Sequence, residues 1–178
     1  MPCELKVWPA SIGEPRSELR VFCGMGCDAF DSYEYYRSLD LESLLAIERQ
    51  QRGDVDLLVQ IGLRYIKRQD LHQASTYFHR AWRLDPSDAW PHIYIGHLWY
   101  RIGHYDQAAE SFQTAIDLMP DEACPYWCLG DVRQAQGDWQ PAEALYRQAV
   151  AIDPEDRTAQ ERLERYLLKQ QTRDDLQL

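Results

Sequence analysis

The chain has 178 residues, 45% of them hydrophobic and 27% charged, with a formal net charge of −10. A chain of this length buries roughly 70% of its unfolded surface, so its core needs no disulfide or metal staple. The acidic balance points away from nucleic acid and from anionic membrane surfaces, both of which would repel it.

The N-terminus, MPCELKVWPASIGEPR, lacks the basic-then-apolar pattern of a signal peptide, and no apolar run is long enough to cross a bilayer. With five cysteines, an odd number suited to free thiols, a cytoplasmic location is expected. Residues 1–39 form an N-terminal extension with proline, glycine and three cysteines but no clear period, and are expected to be partly disordered. ELKVW and ELRVF are candidate short strands within it. Cys23 and Cys27 flank Gly-Met-Gly, a spacing one residue longer than the C-x2-C of thiolate metal sites. A thiol- or metal-dependent sensor built on them is one alternative function. Residues 40–54 supply an N-terminal helix, DLESLLAIERQQ, whose Leu41, Leu44, Leu45 and Ile47 would cover the next element or pair with a second copy in a homodimer.

From residue 55 the chain repeats. Pro86, Pro120 and Pro154 stand 34 residues apart, and the same step superimposes Gly62, Gly96 and Gly130. It also aligns Ala74, Ala108 and Ala142, then Phe78, Phe112 and Tyr146, then Ala81, Ala115 and Ala149. Three units follow, 55–88, 89–122 and 123–156, each an antiparallel pair of amphipathic helices. First helices are expected over 55–68, 89–102 and 123–136, and second helices over 71–84, 105–118 and 139–152. The glycine of each first helix costs about 1 kcal/mol against alanine and marks a place where a neighbouring backbone comes close. Gly103 and Gly137 suit left-handed caps, whereas Gln69 stands at that point in the first unit and makes a poorer turn. Asp88 and Asp121 are placed to cap the helices that follow them, and Pro91 and Pro125 fall in first turns. Residues 157–178 complete the chain as a capping helix, with Leu163, Tyr166 and Leu167 on one stripe, and a polar, frayed tail from Thr172.

The phrase Gly-x2-Tyr…Ala-x3-Phe-x2-Ala…Pro over 62–86 resembles the tetratricopeptide repeat (TPR) family. The resemblance implies an all-α, right-handed superhelix of three helix-turn-helix repeats with an N-terminal helix and a C-terminal capping helix. It implies a non-catalytic adaptor or scaffold that binds a protein or peptide client on its concave side, with no cofactor. The inward-facing residues it implies are Asp56, Val59, Leu63, Ile66 and Lys67, then Trp90, Ile93, His97, Tyr100 and Arg101, then Cys124, Trp127, Asp131 and Gln134. This set is largely apolar and aromatic, the usual source of binding energy, so a hydrophobic peptide segment is the expected client. The carboxylate clamp of heat-shock co-chaperones needs Lys, Arg and Asn there, and the chain contains no asparagine. The size, charge and extra N-terminal helix are also similar to class II chaperones of type III secretion, which hold hydrophobic translocators.

The five histidines lie in repeat helices or their turns without HExxH spacing, and no glycine-rich phosphate loop is present. Cys124 and Cys128 share a helix face and read as buried structural thiols.

Overall fold

The computed structural model describes residues 32–50 and 54–176. Two helices, α1 (Ser32–Ser38) and α2 (Leu41–Gln50), precede the repeats. The first repeat is α3 (Val55–Lys67) and α4 (Leu71–Leu84), and the second is α5 (Trp90–Arg101) and α6 (Tyr105–Leu118). The third is α7 (Ala123–Gln136) and α8 (Trp139–Ile152), and α9 (Arg157–Leu176) closes the array. No strand occurs among the described residues. The candidate strands, Cys3, Cys23 and Cys27 lie outside them.

Each hairpin closes on one repeated contact. A Cβ built on Gly62 would stand 2.4 Å from Cε1 of Phe78. The matching distances are 2.7 Å from Gly96 to Phe112 and 2.7 Å from Gly130 to Tyr146. What presses on the glycine is therefore the aromatic ring of the second helix, not a neighbouring backbone. Both alanine rows of the second helices are fully buried beside those rings, so small residues let the helices close around one large one. Two of the rings also bridge onward: Phe78 stacks on Tyr94 of the next repeat with centroids 5.0 Å apart, and Tyr146 meets Tyr166 of α9 at 5.6 Å.

The turns follow local chemistry. Gly103 and Gly137 take φ of 81° and 88°, and Gln69 is forced to 62° at the equivalent point. Asp54 and Asp70 cap α3 and α4 by accepting from the backbone N–H of Leu57 at 3.2 Å and of Gln73 at 3.0 Å. Asp88 accepts from the Trp90 N–H at 3.1 Å, but the N-cap of α5 is Ala89, so Asp88 stands one residue ahead of the cap position expected of it. Asp121 does not act that way, because α7 begins at Ala123 with Glu122 at its N-cap and no side-chain cap bond.

The ends differ from the sequence expectation in two places. A helix, α1, lies inside the 1–39 extension and packs on α3. The hydroxyl of buried Tyr36 donates to Asp54 at 2.8 Å, and Arg64 donates to the backbone carbonyls of Arg37 and Leu39. At the other end α9 continues through the expected polar tail to Leu176. Stepping back 34 residues from Phe78 reaches Leu44 of α2, which is fully buried. An ion pair from Arg80 to Glu48 at 2.5 Å fastens α2 against α4.

Candidate peptide-binding face

Among the first helices, α5 touches α7 and α7 touches α9, which brings their matching rows side by side. Burial falls off row by row. Val59, Ile93 and Trp127 are 2%, 1% and 5% exposed, and Trp90 is 7% exposed. They form a floor whose surface is mostly spent on packing. Leu63, His97 and Asp131 are half-buried, as are Ile66, Tyr100 and Gln134 in the next row. Lys67 and Arg101 stand exposed at the rim, and Arg101 reaches back to Gln69 at 2.9 Å. Asp56 is half-buried at the first repeat, and Cys124 is buried at the third. The residues read from the sequence thus differ in access. Replacing Trp90 or Trp127 by alanine would open a cavity costing about 3–5 kcal/mol before it reported on binding.

The middle of the face is chemically uneven. Burial pushes the imidazole of His97 down to about 4, with the nearby Arg162 cation adding to the effect. Its Nε2 lies 3.5 Å from the Sγ of Cys128, and its ring meets Phe112 edge-on at 5.2 Å. Burial raises the Cys128 thiol well above its ordinary range, assisted by Cys124, so this is a protonated, packed sulfur rather than a nucleophile. Asp131 accepts from the Tyr146 hydroxyl at 2.8 Å and pairs with Arg162 of α9. Burial raises its carboxyl and the arginine opposes that rise. The guanidinium of Arg162 also lies over the Trp127 ring, 4.2 Å from its centroid.

Arg162 is the residue that sequence reasoning missed. Its signal was present, since it stands 34 residues after Cys128, but the charged side of the capping helix reads simply as solvent-facing. Among the described residues, no group of three or more His, Cys, Asp or Glu is arranged to hold a metal, and no helix is long and apolar enough to cross a membrane.

A stacked array of helical hairpins with an open, partly apolar face defines a solenoid interaction module. Family models described as TPR repeat and Tetratricopeptide repeat match residues 96–137 and 123–156. Residues 96–156 are thus tetratricopeptide repeats, a class that forms protein–protein interaction modules and is typically non-catalytic. Among solved structures it resembles TTC0263, a thermophilic TPR protein of Thermus thermophilus. The identity is 23%, the TM-score 0.66, and the match covers 72% of this chain and 71% of that one. It also resembles MamA from Desulfovibrio magneticus RS-1 at 20% identity and a TM-score of 0.63, covering 80% and 87%. The first TPR of Spaghetti (RPAP3), solved with the HSP90 peptide SRMEEVD, matches at 17% identity and a TM-score of 0.60, covering 67% and 94%. These likenesses concern the fold. No curated protein sequence matches the chain.

Proposed function

We propose that the face built by α3, α5 and α7 holds an apolar segment of a partner protein, making the chain an adaptor or scaffold. The observation that carries this is that Leu63 and Ile66 of α3 and Tyr100 of α5 are only half-buried, with Lys67 and Arg101 exposed at the ends of the same helices. Aliphatic and aromatic surface next to arginine is the composition from which interfaces draw their energy. The floor residues Val59, Trp90, Ile93 and Trp127 support that surface and give it shape. The peptide held by the Spaghetti repeat supports docking on a TPR array of similar extent. An acidic peptide suits this chain less well, because His97 stays uncharged at neutral pH and Asp131 places a carboxylate on the face.

The test is selection of short peptides from a display library by the full chain. Enriched sequences should be apolar or aromatic. Ile66→Asp combined with Tyr100→Ala should weaken them at least tenfold, about 1.4 kcal/mol, with the helical signal unchanged. Enrichment of acidic sequences, or full binding by the double variant, would discard the reading.

A further inference from the structure

We infer that Trp127 and Asp131 form a guanidinium-binding box, filled in this structure by the chain's own Arg162, and that an arginine side chain of the partner segment takes its place. The inference rests on the peptide-binding face above and names one element of the partner's chemistry.

The register of the array shows how the box arises. One row of the first helices holds Gln60, Tyr94 and Cys128, and its Tyr94 and Cys128 meet the repeat before them. Cys128 meets His97 in this way, a contact between neutral groups. The same row continues in α9 as Arg162, which meets Asp131 instead. There a cation faces a carboxylate, with an indole ring 4.2 Å away beneath it. Flat aromatic surface plus one carboxylate is the combination that recognises a planar cation.

The box is not saturated by its occupant. The Nε–H of Arg162 is buried without an acceptor, and so is the Nε1–H of Trp127. A donor buried this way retains an unmet demand. The pair is also partly open to solvent, with the side chains of Arg162 and Asp131 26% and 20% exposed. Departure of Arg162 does not undock the cap. Tyr166 of α9 holds the α8 start by donating to the Trp139 carbonyl at 2.7 Å, and its ring packs 5.6 Å from Tyr146. Asp131 keeps its bond from Tyr146 throughout. Arg165, exposed on the same helix, also acts on Asp131 and is the competing cation.

The test uses the full chain carrying Arg162→Ala and Arg165→Ala, probed with N-acetyl-arginine amide. N-acetyl-citrulline amide, of the same shape but neutral, is the control. The readout is the indole N–H signal of Trp127 in a heteronuclear NMR spectrum, assigned by its loss in Trp127→Phe. The arginine probe should move that signal at a concentration at least tenfold lower than in the wild-type chain. Citrulline should not move it, and adding Asp131→Asn should abolish the response. A folded variant indifferent to arginine, or equally responsive to citrulline, overturns the box. If the double variant does not fold, Arg162→Gln, which keeps a neutral donor for Asp131, must show the same arginine selectivity, and its silence overturns the box equally. A silent box in a chain that still binds display-selected apolar peptides removes this inference alone. Loss of the peptide-binding face is read separately, through Ile66→Asp and Tyr100→Ala.

Discussion

Gly62→Ala sets two opposing effects against each other, and the structure decides their order. In an isolated helix the change would stabilise by about 1 kcal/mol. Here the new methyl would stand 2.4 Å from Cε1 of Phe78, 2.8 Å from Cδ1 and 2.8 Å from Cζ. That ring is fully buried and stacked on Tyr94, so it has nowhere to retreat. Overpacking of this kind costs roughly 1–3 kcal/mol, and a contact this short belongs near the upper end. Gly62→Ala should therefore destabilise by about 1–2 kcal/mol net. Phe78→Leu removes Cε1 and Cζ and leaves a chain that can turn aside. In that background the alanine should cost nothing or stabilise by up to about 1 kcal/mol. Urea unfolding of the four proteins, followed by far-ultraviolet circular dichroism, measures the cycle. Equal penalties in both backgrounds, or a wild-type chain made more stable by Gly62→Ala alone, would refute the reasoning.

Two further predictions follow from local geometry. Gln69 holds φ at 62° where the other repeats use glycine, so Gln69→Gly should stabilise by about 1 kcal/mol and raise the urea midpoint; no gain would show that its contact with Arg101 outweighs the strain. The folded pKa of His97 is depressed to about 4, so between there and 6.5 the unfolded chain binds the extra proton and stability falls as pH drops. The ceiling is about 3 kcal/mol, and part exposure of the ring reduces it to roughly half. His97→Leu, the residue type that Leu63 supplies in the same row, should flatten this slope relative to wild type. A slope unchanged by the substitution would assign it to the carboxylates.

The helices were legible because their determinants repeat. Gly62, Phe78 and Ala81 recur at a fixed step, so one hairpin's contact predicts the next, and the six repeat helices start and stop within a residue or two of expectation. Helix α1 escaped notice because seven residues bearing three adjacent or near-adjacent tyrosines carry no partner at that step. The access of the residues expected on the face was not legible. Whether Trp127 offers its ring to a partner depends on Arg162, which comes from a different helix 35 residues later. Side chains that settle such questions lie across interfaces, where a helical pattern says which way a residue points and nothing of what has already arrived there.

The place of Leu44 in the Phe78 row changes how the array is counted. Helix α2 behaves as a second-type helix without its first, and α9 as a first-type helix without its second. The same eight helices can then be grouped as α2 with α3, α4 with α5, α6 with α7 and α8 with α9. In that grouping only α1 is left over among the described helices, and the boundary between one unit and the next is a matter of phase. For a solenoid, whose stability accumulates interface by interface, shortening therefore proceeds in half-steps. Removing α9 takes away its interfaces with α8 and α7 and leaves the contacts among the helices before it in place.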